Sequence, residues 1–217
     1  MSSIKLKGSV SGEAIITAAS DASAIILDKN LDLNGQELVL DADADTSIHS
    51  NTDDQIDFKT GGTDRMVIDS SGRITTPSQP AFSVVPTSDQ DNCTGNGTNA
   101  TVAFGTEIFD KNNDFASNTF TAPVTGSYFL TASVSVHDHT VSNTTGRMNI
   151  VTSNRSYLYE FDPAENISGA GVGSFSISVL ADMDAGDTST VTMQMYDSTL
   201  TVDIQTSGTF FQGYLMG

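Results

Sequence analysis

The sequence predicts an all-β protein in two parts, a set of short strands over residues 1–76 and a β-sandwich over residues 82–217, joined by a linker at 77–81. Three observations predict it. Apolar residues alternate with polar ones over short stretches, with no sustained spacing of three and four. Gly, Asn, Asp and Ser fall between these stretches at the intervals of tight turns. Val, Ile and Thr are frequent while charged residues make up only 17%, which opposes disorder.

The first part holds apolar clusters at 4–6, 14–16, 24–27, 31–33 and 38–40, followed by QIDF, RMVI and RI. Each is too short for an ordinary helix. Asn34-Gly35 and Ser70-Ser71-Gly72 are the clearest turn signals. Phe58 is the only phenylalanine before residue 77, so one copy of this region offers little core. Several chains wrapped about one axis would pool their apolar strips. An obligate oligomer is expected, a trimeric β-prism or intertwined stalk.

The segment 74–81, ITTPSQPA, carries Pro77 and Pro80 and suits an extended connection. Beyond it, alternating strands are expected at 82–85, 101–104, 128–136, 147–153, 157–161, 175–180, 190–196, 200–205 and 210–216. That number of short strands with turns between them suits a sandwich or jelly roll. In 128–136, Tyr128, Leu130, Ala132, Val134 and Val136 share the apolar face. Phe129, Thr131, Ser133, Ser135 and His137 share the other, with His139 added if the strand runs on.

The formal charge of −18 and pI near 4.1 leave no basic footprint for nucleic acid or an anionic membrane. No run reaches transmembrane length, and the first residues hold no apolar core of a secretory signal, so neither membrane insertion nor export is expected. Asp41, Asp43 and Asp45 form a candidate calcium cluster, read as a solvated turn face. Asp182, Asp184, Gly186 and Asp187 look like a calcium loop, but Met193 stands where the closing Glu belongs, so a β-turn is expected. Cys93 is the only cysteine, in a polar acidic stretch that does not activate a thiol. The sequons at Asn92, Asn96, Asn99, Asn143, Asn154 and Asn166 are read as exposed polar loops. No activated-nucleophile motif is present, and an enzyme is not expected.

Phe104, Asp110, Phe115, Phe120, Gly126, Tyr128 and Leu130 follow the order of a known signature, and DAGDTSTVTM (184–193) and SGTFFQGYLMG (207–217), with Gly213, continue it. The domain resembles the globular head of the complement component 1q family, which shares its jelly roll with tumour necrosis factor. Gly126 is expected to permit a tight turn, with Pro123 at its entry. The resemblance implies a homotrimer whose inner sheets pack about a three-fold axis. On that reading His137 and His139 from three chains would supply six imidazoles at the axis, a candidate site for a transition-metal ion and the one cofactor the sequence suggests. The alternative is that HDHT is an exposed loop.

GGTDRMVIDSSGRI (61–74) and LDLNGQELVLDADADTSI (31–48) resemble segments of bacteriophage fibre and other virion proteins. Together the two resemblances imply a virion structural protein, made in the host cytoplasm. Residues 1–76 would hold it to other virion proteins, with Lys5, Lys7 and the 14–16 patch as docking groups. A trimeric head would bind a host surface glycan or protein. Loops 87–100, 137–146 and 162–174 are the candidate contacts, and no binding residue is singled out. Two alternatives stand beside this: a capsid-decorating fibre or connector in which the jelly roll only trimerises, and a secreted complement-like binding module.

Overall fold

The computed structural model of the protein describes Leu33, residues 35–166 and residues 171–216. The clusters at 4–6, 14–16 and 24–27, with Lys5 and Lys7, lie outside the described residues. The chain divides into two compact units, Met1–Arg73 and Ile74–Gly217.

Five short strands, β1 (Leu38–Val39), β2 (Ser47–His49), β3 (Ile56–Thr60), β4 (Thr63–Ile68) and β5 (Ile74–Thr75), follow one another across one sheet. β3 and β4 form a two-residue hairpin, with Thr60 opposite Thr63. Its turn residues, Gly61 and Gly62, have φ of 57° and 71°. Two successive left-handed residues match the twist of the flanking strands, and glycine takes that shape without steric cost.

The register sorts this sheet into two unlike faces. Leu38, Ile48, Phe58 and Met66 stand opposite one another in successive strands on one face. Ser47 stands opposite Lys59 and His49 opposite Asp57 on the other. The polar row is the better covered: Ser47, His49 and Asp57 are buried, whereas Leu38 is 43% and Ile56 46% exposed. This is the reverse of an ordinary two-faced sheet.

Among the described residues of the second unit, β6 to β17 form two antiparallel sheets of six strands each. The first sheet takes β6 (Ala81–Val85), β9 (Thr106–Asp110), β12 (Gly126–His137), β15 (Gly173–Met183) and β17 (Val202–Leu215). They lie in the order β15-β12-β17-β6-β9, and β7 (Gln90–Thr94) pairs with β17. The second sheet takes β10 (Phe115–Ala116), β11 (Thr119–Thr121), β13 (Gly146–Thr152), β14 (Ser156–Phe161) and β16 (Thr188–Met195). Its order is β10-β11-β16-β13-β14, and β8 (Asn99–Thr101) pairs with β16. Ala81, which the sequence assigned to the linker, is the first residue of β6.

The core lies between the sheets. Tyr128, Leu130, Ala132, Val134 and Val136 of β12 are all fully buried, as their alternation requires. Phe82 is the hub of an aromatic cluster, 4.6 Å from Phe120, 5.0 Å from Phe211 and 5.4 Å from Phe115 between ring centroids. Phe104 joins it through Phe211 at 5.9 Å. Such close aromatic pairs add packing energy beyond the area they bury. At Gly213 this core comes close against the β17 backbone. A Cβ there would lie 2.6 Å from Leu130 Cδ2 and 2.7 Å from Phe82 Cε1.

Several expected elements differ. The stretch 101–104 is not a strand beyond Thr101. Side chains take the backbone donors that a ladder would use: Ala103 N–H donates to Gln90 Oε1 and Phe104 N–H to Asn118 Oδ1, each at 2.7 Å. The expected strands at 200–205 and 210–216 are one strand, β17, with an irregularity between. Ser133 faces Phe210 while Ser135 faces Gln205, so the intervening residues bulge out of register. Gly208 takes a φ of 82° within that bulge, and Thr209 Oγ1 accepts the Ser135 N–H at 3.0 Å. Gly126 opens β12 without a left-handed φ, so turn formation is not its reason for being glycine.

Candidate functional site

The outer face of the β15-β12-β17-β6-β9 sheet leaves several large apolar side chains exposed. Cross-strand register arranges its side chains in rows. Leu180 stands opposite Phe129, and Phe129 opposite Tyr214. In the next row Ser178 faces Thr131, Thr131 faces Gln212, Gln212 faces Ser83, and Ser83 faces Phe109. The rings of Phe129 and Tyr214 are 5.6 Å apart between centroids. Leu180 is 58%, Phe109 48% and Tyr214 47% exposed. Between them lies a shallow concavity of about 360 Å³, lined by Phe109, Lys111, Phe129, Thr131, Gln212 and Tyr214.

Apolar side chains gathered in one place on a sheet face are a recognised mark of an interaction surface. Around them the face is polar. Thr131 Oγ1 and Ser178 Oγ are 2.7 Å apart, and the Gln212 amide donates to Ser83 Oγ at 3.0 Å. Aromatic anchors beside small hydroxyl groups suit a packed protein contact better than a catalytic centre.

Of the two candidate metal histidines, only His137 keeps to this face. β12 ends at His137, and Asp138 follows with a φ of 60°. That left-handed residue breaks the alternation and turns the next side chain inward. His139 is only 2% exposed, and neither of its ring nitrogens has a hydrogen-bond partner among the described residues. Its main-chain N–H donates to Gly171 O at 3.3 Å. Burial pushes the imidazole below its ordinary value, against the nearby Gly171 and Pro163 backbone. His137 remains partly open at the strand end, opposite Asp203 in β17. The Thr206 hydroxyl and N–H hold the Asp89 carboxyl below the usual range, with His137 adding to it.

Other sequence candidates have simple structural places. Phe104, Phe115, Phe120, Tyr128 and Leu130 are buried in the sandwich core, and the Tyr128 hydroxyl donates to Val124 O at 2.7 Å. Asp184 O accepts the Asp187 N–H at 2.9 Å in a β-turn that carries Gly186 at φ 94°. The Cys93 thiol lies 3.3 Å from Val202 O, and burial pushes its pKa up. Asn143 corrects the reading of its sequon as an exposed loop, for it is fully buried. Its amide donates to Tyr196 O at 2.8 Å and Gly95 O at 3.3 Å, and its Oδ1 accepts the Thr140 N–H at 2.9 Å. A buried amide so placed ties three loops together.

In the first unit, Asp41, Asp43 and Asp45 do come together, each offering an oxygen within 4.8 Å of the others. Asp41 Oδ1 accepts the Thr46 N–H at 3.2 Å, as the expected turn would have it. Sequence reasoning missed a second group, His49, Asp57 and Asp64, because its members come from three different strands. Alternation within a strand does not reveal which carboxylate stands across from a histidine.

Two packed antiparallel sheets enclosing one core define the second unit as a jelly-roll sandwich. Residues 81–216 match the C1q domain family, and the chain belongs to that family. Among solved structures, the globular domain of zebrafish complement 1qA is similar at 18% identity, over 64% of this chain and 98% of that one, with a TM-score of 0.43. Murine APRIL at pH 8.0 is similar at 14% identity, over 64% of this chain and 100% of that one, with a TM-score of 0.46. A comparison with curated proteins yields no match.

Proposed function

We propose that the protein is a homotrimeric fibre component of a phage virion. Residues 1–76 join it to the particle, and the jelly-roll head binds the host surface. The observation that carries the assembly is the outer face of the head, where Phe109, Leu180 and Tyr214 stand exposed beside the half-buried Phe129. Domains of this class typically homotrimerise, and three such faces turned toward one axis would bury these side chains. The virion role is supported by the resemblance of segments 31–48 and 61–74 to fibre proteins. Three heads on one stalk would let weak sites act together.

Light scattering on the full chain tests the assembly, and a mass near three times 22.8 kDa is expected. Competition of the purified protein with phage for host adsorption tests the binding role. A trimer that leaves adsorption unchanged, while antibody to it decorates the particle, favours the connector in which the jelly roll only trimerises. A stable monomer overturns the fibre.

A further inference from the structure

The first unit holds a buried histidine between two carboxylates. His49 lies on β2, Asp57 opposite it on β3, and Asp64 on β4 beyond the irregularity in the β3–β4 pairing. The side chains of His49 and Asp57 are each 1% exposed, and that of Asp64 is 41% exposed.

The hydrogen bonds dictate a tautomer. His49 Nε2 is 2.9 Å from Asp64 Oδ1. An ionised carboxylate only accepts, so Nε2 carries the proton. Asp57 Oδ1 is taken by the Gln55 amide at 2.7 Å. That leaves His49 Nδ1 facing Asp57 Oδ2 at 3.8 Å, with the Asn51 side chain close by but no partner in good hydrogen-bond geometry among the described residues. In a neutral imidazole this is a lone pair directed at an anion in a dry place. Such an arrangement is costly unless something positive stands between. A hydrogen bond does not span 3.8 Å. Two donors that share one zinc ion at about 2.1 Å each, at a tetrahedral angle, stand about 3.4 Å apart. The observed separation is close to that.

We infer that His49 Nδ1 and Asp57 Oδ2 hold a divalent transition-metal ion, zinc by its chemistry, with Asp64 orienting the imidazole through Nε2. An imidazole and a carboxylate suit zinc, whereas calcium calls for six or more oxygens. A carboxylate on the far nitrogen of a metal-bound histidine fixes ring and tautomer, which is the place Asp64 takes. Its exposed side is the route by which the ion and its remaining water ligands enter. The nearby Lys59 does not compete for Asp57, since its Nζ is paired with Glu37 at 2.9 Å. The ion would tie β2 to β3 through one ligand from each strand.

The test is equilibrium dialysis of the full chain, stripped with chelator, against zinc at pH 7.5. One ion per chain is expected, with at least tenfold weaker binding in Asp57→Asn and loss of binding in His49→Gln. Asp64→Asn should weaken it about tenfold to a hundredfold. His137→Gln should leave it unchanged. X-ray absorption at the zinc edge of the unaltered protein gives a reading that no folding defect can imitate: one imidazole with oxygen ligands supports the site. No zinc uptake at about 100 μM, uptake unaltered in Asp57→Asn and His49→Gln, or scattering from two or more imidazoles each overturns it. The second and third would send the ion elsewhere, and the first would make His49 an imidazolium held by its two aspartates.

Discussion

Phe129 and Tyr214 face each other across β12 and β17, their ring centroids 5.6 Å apart, on the side of the sheet turned away from the core. Each ring is one residue from a core position, Tyr128 or Leu130 on β12 and Gly213 on β17. The pair would need a partner molecule to leave water, and it is the anchor on which the trimer reading stands.

Replacing both rings, Phe129→Ser with Tyr214→Ser, should dissociate the assembly while leaving the sandwich folded. Light scattering should fall from about three chains to one at micromolar concentration, with unchanged far-UV circular dichroism. Aromatic anchors at interface centres contribute about 2 kcal/mol or more each. A double variant that stays trimeric would place the contact elsewhere on the head or in residues 1–76.

Phe82→Ala should cost about 3–5 kcal/mol, because the ring is fully buried between Phe115, Phe120 and Phe211 and its loss leaves a cavity. Chemical denaturation of the head followed by tyrosine fluorescence checks it. A loss under about 1 kcal/mol would mean that the aromatic cluster collapses onto the void.

Gly213→Ala should destabilise by about 1–3 kcal/mol, since the added methyl meets Leu130, Phe82 and the Phe129 carbonyl oxygen, the last at 3.2 Å. The matching variant Gly186→Ala meets no atom within 4 Å and suffers only from its left-handed φ of 94°. Thermal melts of the two variants separate crowding from backbone strain.

Acid should weaken the head through His139. Burial holds its folded pKa below the ordinary value of about 6.5, so the unfolded chain takes up the proton first. The stabilisation is full above about pH 6.5 and is lost as pH falls from there toward the depressed folded value. Around the ring stand the Gly171 and Pro163 backbone and His137, with no carboxylate paired to it among the described residues. Denaturation midpoints between pH 7.5 and 5.5 should drop in the natural protein and flatten in His139→Gln. A natural protein with constant midpoints over that range would contradict the burial of a neutral ring.

Asn143→Ala should cost about 2–3 kcal/mol, because it strands the Tyr196 and Gly95 carbonyls and the Thr140 N–H in a buried place. Hydrogen exchange should rise at Thr140 and in the loops on either side before the sheets are affected.

The long strands of the head were readable from the chain because each buries one face. The row from Tyr128 to Val136 repeats every second residue, and no other structure satisfies that pattern. The family signature was equally readable, since its aromatic residues fill the one core that two sheets enclose. β7 and β9 were not readable: Gln90–Thr94 is polar but for Cys93, and Thr106–Asp110 is exposed along most of its length. Their strand character comes from the neighbours that accept their backbone hydrogen bonds, and composition carries no record of a neighbour.

The same division separates the candidate sites. Local alternation was enough to place Phe129 on the face opposite the core and to set β structure on both sides of 77–81. It was not enough for His139, because one left-handed residue, Asp138, reverses the side on which the next ring falls. Nor was it enough for His49, Asp57 and Asp64, which are separated along the chain and meet through the register of three strands. Periodicity is a property of neighbours in sequence, and it decided which faces are apolar. Register, bulges and single positive-φ residues arise when strands pair in space, and they decided which polar groups meet.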